Sequence, residues 1–114
     1  MTLDATYQRV CAAADIPKGT VVAAEVNGTP IALVHCGDGS YRAAYDECSH
    51  EQIALSEGEV DDCTLECWLH GSRFDLRTGQ PTGLPATQPI AVYPVEIHDG
   101  DVYVSLAPSN GVNP

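Results

Sequence analysis

The sequence is poor in positive charge: five Lys and Arg residues stand against 16 Asp and Glu, for a net charge of −11. Such a surface repels phosphate backbones and anionic membrane faces, which argues against nucleic acid as a partner. It serves solubility or the steering of a basic partner, and charge alone does not choose between them. Long apolar runs are missing as well. No stretch approaches the ~18 consecutive apolar residues of a membrane span. Met1–Val10 holds Asp4 and no apolar core, so it does not read as a secretory signal. The expectation is a soluble, cytoplasmic protein. Repeats, low-complexity segments and capped helical stripes of ten or more residues are all absent. So are a G-x-S-x-G elbow, a Walker-type loop and a 2-His-1-carboxylate set, which removes the usual residues of a hydrolase, an NTPase and a mononuclear iron oxygenase.

What is present fits one small domain. A chain of 114 residues is one domain by length, expected to span 1–114, and it buries about two-thirds of its unfolded surface. Short runs rich in Val, Ile, Tyr and Thr alternate with Gly, Asp, Asn and Pro, which predicts strands over Tyr7–Cys11, Val21–Val26, Pro30–His35, Tyr41–Tyr45, Glu59–Glu66, Arg73–Asp75, Ile90–Ile97 and Val102–Leu106. Asn27-Gly28 and Asp99-Gly100 tolerate the positive φ of tight hairpins, and Asp38-Gly39 starts a third. The predicted fold class is all-β, a small antiparallel sandwich or barrel, with a polar tail over 108–114 that frays.

Five cysteines, Cys11, Cys36, Cys48, Cys63 and Cys67, form an odd set. A secreted disulfide scaffold would show an even count and a signal peptide, whereas clustered Cys and His in a reducing compartment point to metal binding or catalysis. Cys48-Ser49-His50 and Cys67-Trp68-Leu69-His70 make a C-x-H box, sixteen residues, then a C-x-x-H box. Each box offers a thiolate and an imidazole from a loop between predicted strands, so four ligands can converge at one tip. Zinc also takes two Cys and two His, but its habitual spacings are C-x2–4-C and H-x3–5-H, which these boxes do not follow.

The two boxes resemble those of the Rieske family. The stretch Glu66–Asp75, then Thr78-Gly79, Leu84-Pro85-Ala86-Thr87 and the finish Ile90–Leu106, is similar to ferredoxin components of bacterial aromatic-ring-hydroxylating dioxygenases. The resemblance runs from about Tyr7 onward. It implies one [2Fe–2S] cluster in a subdomain of about 46–87 at one tip of the fold, with Cys48 and Cys67 on the inner iron and His50 and His70 on the outer one. Neutral imidazoles in place of two thiolates leave the oxidised cluster about neutral rather than about −2, which eases reduction and raises the potential. The implied function is not an enzyme's. It is an electron carrier between a flavin-containing reductase and a terminal oxygenase with its own Rieske centre. The small Rieske subunit of an assimilatory nitrite reductase and a zinc-stabilised, non-redox binding module are the alternatives.

The chain departs from high-potential respiratory Rieske proteins in two ways. Ile53 and Leu69 occupy the places of their extra disulfide cysteines. Ser72 matches a serine that donates to cluster sulfur, but Phe74 stands where a hydroxyl-bearing Tyr would be. The expected potential lies near the low end of the roughly −150 to +300 mV Rieske range. Within the resemblance, Leu84-Pro85 in the Gln80–Pro89 stretch covers the cluster, and Trp68 belongs either to the core or to the loop packing. Cys11, Cys36 and Cys63 read as small buried hydrophobes. His35 and His98 read as structural or solvated. Glu57, Glu59, Asp61 and Asp62 read as a solvated face.

Overall fold

The computed structural model describes residues 6–48, 53–68, 71–82 and 88–112. Among the described residues ten strands follow in chain order: β1 Tyr7–Ala12, β2 Thr20–Val26, β3 Thr29–His35, β4 Tyr41–Tyr45, β5 Glu59–Asp61, β6 Thr64–Glu66, β7 Arg73–Asp75, β8 Val92–Tyr93, β9 Val95–His98 and β10 Asp101–Ser105. The helical content of the described residues is two 3₁₀ turns, Ala13–Asp15 and Leu55–Glu57. All pairings are antiparallel and form three sheets, β1-β10-β9, β2-β3-β4-β8 and β5-β6-β7.

The middle sheet is buried on both faces. Ile31, Ala32, Leu33 and Val34 of β3 are all fully buried, which explains why β3 reads as an unbroken apolar run rather than an alternation. The strand period of two sends Ala32 and Val34 into one core, with Ala44, Leu65, Phe74 and Val92. Ile31 and Leu33 enter the other, with Ala43, Tyr93, Val102 and Val104. One core thus lies toward β5-β6-β7 and the other toward β1-β10-β9. Asn27 (φ 48°) with Gly28 (φ 80°), and Asp99 (φ 51°) with Gly100 (φ 79°), hold the two tight hairpins in the left-handed region.

Two predicted strands divide. Glu59–Glu66 is a hairpin, β5 and β6, because Asp62 takes φ 53° and turns the chain at Asp62-Cys63. Ile90–Ile97 breaks at Pro94, which has no N–H to give a ladder, so β8 pairs with β4 while β9 pairs with β10. Of the C-terminal segment expected to fray, Ser109 and Asn110 are tied down. Ser109 N–H donates to the Val92 carbonyl at 2.8 Å, and the Asn110 amide donates to the carbonyls of Ile90 at 2.9 Å and Thr78 at 3.0 Å. This segment covers the free edge of β8 and joins it to the turn that leaves β7. Gly79 sits in that turn at φ +80°, where a Cβ would collide with the Ile90 carbonyl and the Asn110 amide.

Candidate metal centre

Both boxes begin at a buried, unbridged cysteine. Cys48 and Cys67 are each 2% exposed, neither is in a disulfide, and both belong to the core that includes Leu55, Leu65 and Phe74. Their loops close in the same way. Cys48 N–H donates to the Ile53 carbonyl at 2.9 Å, and Cys67 N–H donates to the Ser72 carbonyl at 2.7 Å. Each hydrogen bond spans five residues and encloses the histidine of its box.

Cys67 and Ser72 lie just beyond the β6–β7 ladder: the register Leu65↔Phe74, Glu66↔Arg73 continues to them. Gly71 N–H returns to the Cys67 carbonyl at 3.0 Å with Gly71 at φ 74°. The first box leaves β4 and re-enters at the Leu55–Glu57 turn, where Asp46 clamps it. The Asp46 carboxylate accepts from Ser56 N–H and from Ser56 Oγ, both at 2.6 Å. The sequence shows Asp46 only as a flanking acid. Its partner lies ten residues away, a spacing with no motif to announce it.

His50, Leu69, His70, Leu84 and Pro85 lie outside the described residues. Ser72 is 1% exposed, inside the fold beside Cys67. Ile53 packs against the same core and Phe74 is fully buried there. Trp68 is not a core residue: it is 54% exposed, against a shallow groove lined by Glu57, Glu59 and Glu66. Cys67 is buried, and neighbours in an extended chain point to opposite sides, so Trp68 faces outward.

Cys36 and Cys63 are buried as expected but are not independent hydrophobes. They form a disulfide with Cα atoms 4.9 Å apart. It pins the end of β3 to the β5–β6 turn, and the 27-residue interval it closes contains the first box. Asp38 lies within ligand distance of both sulfurs, but sulfurs bonded to each other offer no thiolate to a cation. Cys11 is partly buried, and burial followed by Asp15 pushes its thiol upward, away from reactivity. His35 is structural, its Nδ1 2.9 Å from the Ile16 carbonyl and its ring stacked on Tyr41 at 4.1 Å. His98 is at the surface, 3.4 Å from Asp99. Of the acidic face, Asp61 pairs with Arg73 at 3.0 Å and Asp62 lies 3.9 Å from Arg77.

The part of the donor set that the structure describes fits a mixed Cys/His cluster: two buried cysteines at the heads of matched loops. The Rieske [2Fe-2S] domain model matches residues 6–94. The 3-phenylpropionate/cinnamic acid dioxygenase ferredoxin subunit of Escherichia coli (strain K12) is 39% identical over 97 residues, covering 84% of this chain and 90% of that one. The ferredoxin of carbazole 1,9a-dioxygenase from Nocardioides aromaticivorans IC177 superposes with a TM-score of 0.83 at 34% identity, over 89% of this chain and 98% of that one. A complex of reduced oxygenase and oxidized ferredoxin in carbazole 1,9a-dioxygenase contains a chain that matches with a TM-score of 0.81 at 38% identity, over 90% of this chain and 94% of that one. A match over most of its length places the chain in the Rieske [2Fe-2S] domain family.

Proposed function

We propose that this chain is a ferredoxin that takes single electrons from a flavin-containing reductase and passes them to the terminal oxygenase of a multicomponent aromatic-ring dioxygenase. The observation that carries the proposal is the pair Cys48 and Cys67: two unbridged, buried thiols opening two loops closed by the same hydrogen bond, in a chain of this family. Cys48, His50, Cys67 and His70 would hold one [2Fe–2S] cluster, thiolates on one iron and imidazoles on the other. When bound, that group supplies a one-electron couple.

The chain's own residues set the conditions. Leu55, Leu65 and Phe74 share one buried core with the two thiols, which keeps water from them. Phe74 brings no hydroxyl, and Ile53 stands where respiratory relatives place a bridging cysteine, so a potential near the low end of the Rieske range is expected. Domain 1–114 would work as one unit, with about 46–87 as its cluster-binding part and Leu84-Pro85 as its cover. Exposed Trp68 beside Glu57, Glu59 and Glu66 offers a partner an aromatic surface rimmed by negative charge, which suits a basic docking site and a salt-sensitive encounter. Partner identity is supported by the relatives, which are named as dioxygenase ferredoxins, one of them solved with its oxygenase. The proposed setting is the cytoplasm, where such reductases and oxygenases meet their carrier; separately, among the described residues no helix is long and apolar enough to cross a membrane.

Anaerobic titration of the purified protein with dithionite tests this. One electron should be taken up per chain, with reversible bleaching, by a protein that purifies without a bound partner. A colourless protein that takes up none would overturn electron carriage. A protein that purifies only as a tight complex with a reductase subunit would replace the shuttle with a fixed subunit.

A further inference from the structure

Away from the two boxes the molecule has a second, larger concavity, and its origin is legible in the strand register. β8 pairs with β4 only at Ala43↔Tyr93 and Ala44↔Val92. The next step of the ladder would set Arg42 against Pro94, and there the chain leaves for the other sheet. The edge of β4 at Tyr41–Arg42 is therefore uncovered. A cleft of about 590 Å³ opens there, within the usual span of small-molecule sites. Its walls come from β4 and β8, from β9 and from the segments around them, with Leu76, Val92, Pro94, Val95 and Ile97 as apolar lining.

The polar groups in this cleft are unevenly satisfied. Arg77 is committed to Asp38 at 3.1 Å, with Asp62 at 3.9 Å and Asp75 at 4.0 Å. Arg42 has no ion pair among the described residues, and its Nε–H is buried without an acceptor. Tyr93, whose hydroxyl is also buried without a partner, lines the same cleft. A buried donor left unsatisfied is costly, and more so for a charged group. A chain with 16 acidic residues has carboxylates to spare for an idle guanidinium, yet this one is given none. Glu96 also lines the cleft and opposes an anion there.

We propose that the Arg42 cleft is a binding site for a small organic monocarboxylate with an apolar body. The carboxylate supplies Arg42 with the acceptor it lacks, in the forked geometry that guanidinium favours. The apolar body lies on Val92, Pro94, Val95 and Ile97. Inorganic anions meet the same guanidinium but waste the apolar wall.

The test is two-dimensional ¹H–¹⁵N NMR of the intact, cluster-loaded protein titrated with three probes: benzoate, benzyl alcohol and inorganic phosphate. Benzoate should give saturable shifts at the amides of Arg42, Val95, Glu96 and Ile97. Benzyl alcohol and phosphate should bind at least tenfold more weakly. Arg42→Gln should weaken benzoate at least tenfold, and Glu96→Gln should tighten it. Absence of saturable benzoate shifts would overturn the proposal. So would equal binding of benzyl alcohol, which would mark an apolar cleft indifferent to charge, or equal binding of phosphate, which would mark an unselective surface cation. The wild-type comparison among probes decides the matter even if a variant fails to fold.

Discussion

Cys36 and Cys63, both fully buried, are joined across the core, so that the end of β3 is bonded to the turn between β5 and β6. The bond ties the sheet that supports the fold to the small sheet that presents the second box. Its burial also shields it from thiol exchange, which requires access to a sulfur.

Alkylation under denaturing, non-reducing conditions should therefore modify Cys11, Cys48 and Cys67 and spare Cys36 and Cys63. Replacing both by alanine should destabilise the protein by roughly 3.5 kcal/mol on the loop-closure account of an interval of this length. Thermal unfolding of the double variant against the parent measures it. Modification of all five cysteines without reduction would contradict the bond.

Asp46 is the clamp on the first box. Asp46→Ala removes two hydrogen bonds to a charged acceptor, a loss of roughly 2–4 kcal/mol. The loop that carries Cys48 should loosen at its base. Iron content per chain should fall, and iron should be released faster to a chelator. Asp46→Asn, which keeps an acceptor oxygen, should fall between the two.

Asn110 joins the C-terminal segment to the base of the cluster-binding part. Asn110→Ala gives up its bonds to the Thr78 and Ile90 carbonyls and to Val92 N–H at 3.3 Å. We expect a cost of about 2 kcal/mol, read as a drop of roughly 8 °C in Tm. Hydrogen exchange should quicken at Ser109 and Ile90, whose amides bond to Val92 and Gly79, while strands β2 and β3 keep their protection.

Asp38 titrates at about 2, held down first by the Ser40 hydroxyl, then by Ser40 N–H and Arg77. Its folded pKa lies below the unfolded value, so its contribution to stability is complete above about pH 4 and is lost as pH falls toward 2. Ser40→Ala should raise the Asp38 midpoint toward the ordinary carboxylate range in a carboxyl-carbon NMR titration. Melting curves of Asp38→Asn and the parent should differ above pH 4 and converge as the pH approaches 2.

Much of this was legible in the sequence because the signals are local. Asn27-Gly28 and Asp99-Gly100 announced their hairpins, since positive φ is a property of those residues themselves. What escaped depends on contacts between distant segments. Nothing in Glu59–Glu66 shows that Asp62 will take a left-handed turn, because that conformation is imposed by the pairing of β5 with β6. The partnership of Cys36 with Cys63 is invisible until β3 and the β5–β6 turn are side by side. Asp46 with Ser56, and Asn110 with Ile90, are side-chain bonds set by tertiary geometry. At the centre itself, the spacing of Cys48 and Cys67 pointed to two loops, while their common closure at Ile53 and Ser72 is a fact of the fold.

The central claim is that two thiolates and two imidazoles share one two-iron cluster, and EPR of the dithionite-reduced protein tests it most directly. The account predicts a signal whose average g lies below that of all-cysteine [2Fe–2S] clusters, lost when His50 or His70 is replaced by Ala. An average g typical of four-cysteine ligation, or a signal unchanged by both replacements, would contradict it.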